Sequence, residues 1–93
     1  MILTERLTET RHGIDLWAAV KPINSDSSAD VSEIIRVTRY RLTLYPHAAE
    51  LLTPAGEVKL DWRGNSYVLE GDVEQHTADG LIHHLEAIMR RLS

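Results

Sequence analysis

Apolar and polar residues alternate one for one through most of the chain. Ile14, Leu16, Ala18 and Val20 share one face of an extended segment, opposite Asp15, Trp17, Ala19 and Lys21. Tyr40, Leu42 and Leu44 do the same against Arg39, Arg41 and Thr43. Val58, Leu60 and Trp62 alternate with Glu57, Lys59 and Asp61, and Tyr67 and Leu69 with Val68 and Glu70. Successive side chains on a strand point to opposite faces, so this period predicts strands with one buried face. Short strands at close spacing predict a mainly β fold, a small antiparallel barrel or sandwich.

Breaks in the pattern supply the connections. Pro22 to Asp30 is rich in Ser and Asp and predicts a long polar loop. Arg63-Gly64-Asn65-Ser66 predicts a tight turn, and Gln75 to Gly80 a last loop. Ala48 to Leu52 reads as one helical turn or an irregular loop. The apolar phase is odd in Ile35-Arg36-Val37 and even from Tyr40 onward, which predicts a bulge or break near Thr38-Arg39. The C-terminal segment is ambiguous. Leu81, Ile82, Leu85, Ile88, Met89 and Leu92 fit an amphipathic helix, and the local pattern favours it. The strand alternative places Leu81, His83, Leu85, Ala87 and Met89 on one face, with Ile82 and Ile88 opposite, where a neighbouring subunit could cover them.

The 93 residues suffice for one domain with a small core. Cysteine is absent, which excludes disulfides and thiolate metal sites. No apolar run approaches the roughly 18 residues of a membrane span, and the N-terminal residues lack signal-peptide character. A net charge of −4 argues against a tight DNA-binding face, though it is compatible with a wall that phosphates slide past.

Candidate chemistry is sparse. The adjacent His83 and His84 would point to opposite faces of a strand, so they read as surface or interface histidines, with no metal expected. Ser and Thr offer no nucleophile elbow, and Gly64, Gly71 and Gly80 read as turn or bulge positions rather than a phosphate cradle. Asp61, Glu70, Asp72 and Glu74 read as a solvated face. Arg36, Arg39 and Arg41 around Tyr40 form a small basic–aromatic patch, read chiefly as charged strand faces or inter-subunit ion pairs. Neither a catalytic constellation nor a cofactor site is expected.

Four segments in order resemble the head-closure, or head-to-tail stopper, proteins of siphophages, particularly those of actinobacteria. They are Asp15-Leu16-Trp17-Ala18-Ala19-Val20-Lys21-Pro22, Thr38 to Leu44, Val58 to Gly71 with its Trp62-Arg63-Gly64-Asn65-Ser66-Tyr67 turn, and His83 to Arg91. The chain departs from the family pattern, in which a longer first hairpin often precedes the Trp strand: here only Arg11-His12-Gly13-Ile14 separates the N-terminal segment from it. The resemblance implies one head-closure-like β domain over residues 1–93, and a strand at the C-terminus. It also implies a loop at about residues 23–34 that projects after the second strand and lines or plugs a channel through Asn24, Ser25, Asp26, Ser27, Ser28, Asp30 and Glu33. Arg39, Arg41, His83, His84, Arg90 and Arg91 are candidate subunit or partner contacts.

The implied function is a structural virion protein of the neck, made in the host cytoplasm, without enzymatic activity. It would form a sixfold or twelvefold ring of identical copies, with portal and adaptor proteins above and a tail terminator or tail tube below. Genomic DNA would pass the lumen without sequence-specific binding, and no membrane partner is implied. The alternatives are a tail terminator or other neck-ring protein and, more distantly, a small barrel that binds nucleic acid.

Overall fold

The computed structural model describes residues 2–23 and 38–92. Six strands form a closed antiparallel barrel: β1 (Glu5–Glu9), β2 (Ile14–Pro22), β3 (Arg39–Leu44), β4 (Lys59–Trp62), β5 (Asn65–Ala78) and β6 (Leu81–Arg91). Around the barrel they run β1-β2-β3-β6-β5-β4, and β4 returns to β1. Closure removes free sheet edges, which would otherwise template pairing with other chains. A short 3₁₀ helix, Pro46–Leu52, and a single 3₁₀ turn, Ala55–Glu57, link β3 to β4. The first delivers Ala48 and Leu52 into the core. Among the described residues, no helix is long and apolar enough to cross a membrane.

The expected alternation sets which face of each strand looks inward. Leu16 and Ala18, Leu42 and Leu44, Leu60 and Trp62, and Tyr67 and Leu69 are all buried. The C-terminal segment is a strand, with Leu85, Ala87 and Met89 buried. The helical spacing arises because Leu81 and Ile82 lie exposed near a hairpin tip and Ile88 faces outward. Main-chain pairing on both sides, with β3 and β5, holds β6 extended.

At one end Tyr40, Trp62 and Tyr67 pack edge-on or tilted, with centroids 5.0, 5.7 and 5.9 Å apart. Such aromatic pairs add stabilisation beyond the area they bury. Glu5 seals the same end by accepting hydrogen bonds from the Trp62 indole at 3.0 Å and pairing with Arg63 at 3.0 Å. At the other end Glu9, wholly buried, ends the inward row of β1.

Two turns adopt the doubly left-handed backbone that matches strand twist. Arg63 and Gly64 have φ of 49° and 80°, and Asp79 and Gly80 have φ of 53° and 77°. The second turn corrects the expected loop at Gln75 to Gly80. Strand β5 runs to Ala78, and only Asp79-Gly80 turns. The polar run hid a strand because this part of the hairpin covers no core. Gly71, at φ 76°, sits where the β5–β6 register slips between Glu70 and Glu74, a bulge position as its type suggested. The break expected near Thr38-Arg39 depends on residues 35–37, which lie outside the described residues.

The pairings place the connections at opposite ends. Pro22 pairs with Tyr40, Tyr40 with Met89, and Tyr67 with Arg91, so the β2–β3 connection is rooted at the aromatic end. Leu44 pairs with Leu85 at the other end, and beyond it β5 and β6 continue as a two-stranded arm to Asp79-Gly80. The principal-axis extents are 45 × 31 × 23 Å.

Candidate functional site

Strands β3, β6 and β5 present their outer faces as one charged wall. Arg39 pairs across the strands with Arg90, a repulsive placement, and Glu70 on β5 relieves it. Its carboxylate lies 3.0 Å from Arg39 Nη2 and 3.7 Å from Arg90 Nε. Arg41 reaches Glu86 at 3.4 Å. Arg91 leaves this wall and donates to Asn65 Oδ1 at 3.0 Å, bracing the aromatic end. Four of the six candidate contact residues, Arg39, Arg41, His84 and Arg90, therefore share one surface. The loop candidates Asn24, Ser25, Asp26, Ser27, Ser28, Asp30 and Glu33 lie outside the described residues.

His83 corrects the alternation argument. His76 pairs with His84, but the next pair is Thr77 with Ile82, so His83 is an extra residue on β6. A bulge of this kind suspends strict alternation. The rings of His83 and His84 meet edge-on, with Nδ1 atoms 2.8 Å apart, instead of pointing to opposite faces.

Next to this bulge, four side chains converge on the outer face of the arm root. Glu74 and His76 come from β5, His84 and Glu86 from β6, and the register sets Glu74 opposite Glu86 and His76 opposite His84. The two imidazoles stack with centroids 4.8 Å apart and planes 11° from parallel. Glu86 Oε2 lies 2.9 Å from His84 Nε2 and 3.4 Å from His76 Nε2, and Glu74 Oε1 lies 3.1 Å from His76 Nε2. Arg41 takes the other oxygen of Glu86, Oε1. The hydrogen bond from His84 is the main force holding the Glu86 carboxyl below its ordinary range. Partial burial opposes it, and the charges of His76, His84 and Arg41 reinforce it. The sequence hint to this cluster is two residues at spacing i, i+2 on each side of an Asp-Gly turn. It becomes legible once residues 75–78 are recognised as strand.

Apolar residues also remain uncovered. Trp17 on β2 is 51% exposed, and Leu81 and Ile82 at the arm tip are 74% and 41% exposed. Trp17 lies across from Arg6, while Lys21 lies across from Arg41. No protein-family model, curated protein or solved structure matches the chain.

Proposed function

We propose that this protein is a siphophage head-to-tail stopper, one subunit of a ring that closes the DNA channel after packaging and docks the tail. The four resembling segments motivate the reading, and the two-ended layout of the barrel carries it. A connector subunit meets different partners above and below. This barrel roots the β2–β3 connection at one end and extends the β5–β6 arm from the other. The arm tip offers Leu81 and Ile82, apolar surface suited to a docking contact. The charged wall of Arg39, Glu70, Arg90, Arg41 and Glu86 suits lateral contacts between copies, where ion pairs set orientation. Asp26, Asp30 and Glu33 in the β2–β3 connection would repel DNA phosphates, so the duplex slides without sticking. Gating is steric, with no bond chemistry.

The deciding experiment deletes the gene in its phage and images the lysate by electron microscopy. Filled heads that leak DNA, beside free tails of normal length, are expected. Tails of irregular length with heads that retain DNA would assign a terminator instead. Intact infectious virions would remove the protein from the neck.

One observation favours a second reading. The exposed Trp17 opposite Arg6, with Lys21 further along the same face of β2, is a stacking-plus-cation arrangement of the kind used by single-strand binders. Salt-sensitive quenching of Trp fluorescence by an oligothymidylate would support that reading, and its absence leaves the stopper.

A further inference from the structure

We infer that His76, His84 and Glu86 form a site for a divalent transition-metal ion of the zinc class, with Glu74 as its fourth ligand, and that the ion clamps the arm to the barrel. The inference rests on side-chain placement alone and is independent of the stopper reading. One ligand atom from each of the three residues lies within 4.8 Å of the other two. Zinc–nitrogen and zinc–oxygen bonds of about 2.0–2.2 Å put neighbouring ligands of a tetrahedral ion about 3.3 Å apart. The separations of 2.9 and 3.4 Å from Glu86 Oε2 to the two Nε2 atoms already bracket that edge. Glu74 Oε1 lies 3.1 Å from His76 Nε2, and its side chain would swing inward to take the fourth corner.

Three features distinguish this cluster from a chance group of surface side chains. First, the register forces two carboxylates, Glu74 and Glu86, to face each other across paired strands. Like charges so placed destabilise a sheet, and a cation between them removes the penalty. Second, the ligands carry outer partners of the kind that orient metal sites. Arg41 holds Oε1 of Glu86 and leaves Oε2 for the histidines. His83 Nδ1 lies 2.8 Å from His84 Nδ1. Ion binding displaces the proton that His84 Nε2 donates to Glu86, and with Nδ1–H then donating to His83 the Nε2 lone pair faces the ion. The bulge that puts His83 beside His84 supplies this contact. Third, His84 and Glu86 are about four-fifths buried, with side-chain exposures of 20% and 22%, so water competes less for the ion. The imidazoles lie nearly parallel, so seating an ion requires them to tilt about χ2, a broad and soft torsion.

Two imidazoles with carboxylates, and no thiolate, match zinc, nickel and cobalt(II) rather than calcium or magnesium, which prefer all-oxygen shells. Metal titration by calorimetry tests the site, using zinc and, separately, cobalt(II) with its visible spectrum as a geometry readout. The full chain is expected to bind one ion per subunit, with an intense tetrahedral cobalt spectrum and a raised melting temperature. H84Q and E86Q are each expected to weaken binding by more than the roughly 10–100-fold typical of losing an outer partner. H47Q, at an exposed histidine outside the ligand set, leaves binding unchanged. Circular dichroism verifies that each variant is folded, which their place on the outer face of the sheet, outside the apolar core, favours. Absence of saturable binding, or binding that H84Q and E86Q leave intact, overturns the site.

Discussion

Glu9 offers the sharpest test of how the barrel end is held. Its side chain is wholly buried at the last residue of β1, yet the Thr10–Gly13 turn is built around it. Glu9 Oε1 accepts hydrogen bonds from the backbone N–H groups of Arg11 and His12, and Oε2 lies 2.7 Å from His12 Nδ1. Arg11 Nε is a further 4.0 Å ion-pair partner. Burial pushes the Glu9 carboxyl up. The His12 hydrogen bond, the two backbone donors and the His12 charge pull it down and prevail.

Glu9→Gln keeps the shape and removes the charge. Hydrogen bonds to a charged group contribute about 1.5–3 kcal/mol against about 0.5–1.5 for neutral ones, so the expected loss near neutral pH is about 1–3 kcal/mol. Urea unfolding followed by tryptophan fluorescence reads this as a lower midpoint at unchanged slope. The sign with pH follows from the lowered carboxyl. Its contribution is fully present above the unfolded value near about 4.3 and is lost as pH falls through the folded value. Wild type and variant should therefore differ at pH 7 and converge in acid. A difference below about 0.5 kcal/mol at pH 7, or one that persists undiminished in acid, refutes the reasoning.

Two further predictions concern the turns and the arm. Gly64→Ala meets no atom within 4 Å but must keep φ at 80°, so only backbone strain is felt. A loss of about 1–2 kcal/mol in thermal or urea unfolding is expected, and an unchanged stability would mean that the turn relaxes. Leu81→Asp at the arm tip covers no core and should leave monomer stability within about 0.5 kcal/mol. On the stopper reading, phage carrying it should yield filled heads and unattached tails by electron microscopy, and normal plaque counts would exclude the tip as a docking contact.

The four core strands were legible because their inward rows are apolar without interruption. Strand β1 was not, and the reason is chemical. Its inward row is Glu5, Leu7, Glu9, with carboxylates serving as seals at the two barrel ends, so period-two alternation reads as polar sequence. The outer half of β5 was hidden for the opposite reason. Residues 75–78 bury nothing, so main-chain pairing alone makes them a strand. The candidate wall emerged in part, since Arg39, Arg41 and Arg90 follow from phase. The partners Glu70, Glu86 and His76 come from cross-strand register and from two bulges, and local patterns carry no record of register.

The β1–β4 seam has a consequence for how the barrel is made. β1 and β4 share only two register pairs, Thr8 with Asp61 and Glu9 with Leu60. Thr10 meets Lys59 there across 49 positions of sequence. Bringing such distant ends together costs about 3.5 kcal/mol in chain entropy beyond a constant, whereas β4–β5 and β5–β6 close over tight turns. The hairpins are thus expected to assemble first and the seam last, leaving for a time an open sheet with two unpaired edges. In a cell crowded with identical nascent copies, that interval is when one chain's β1 could zip onto another's β4, so speed of closure, more than final stability, would set the yield of correctly folded subunits.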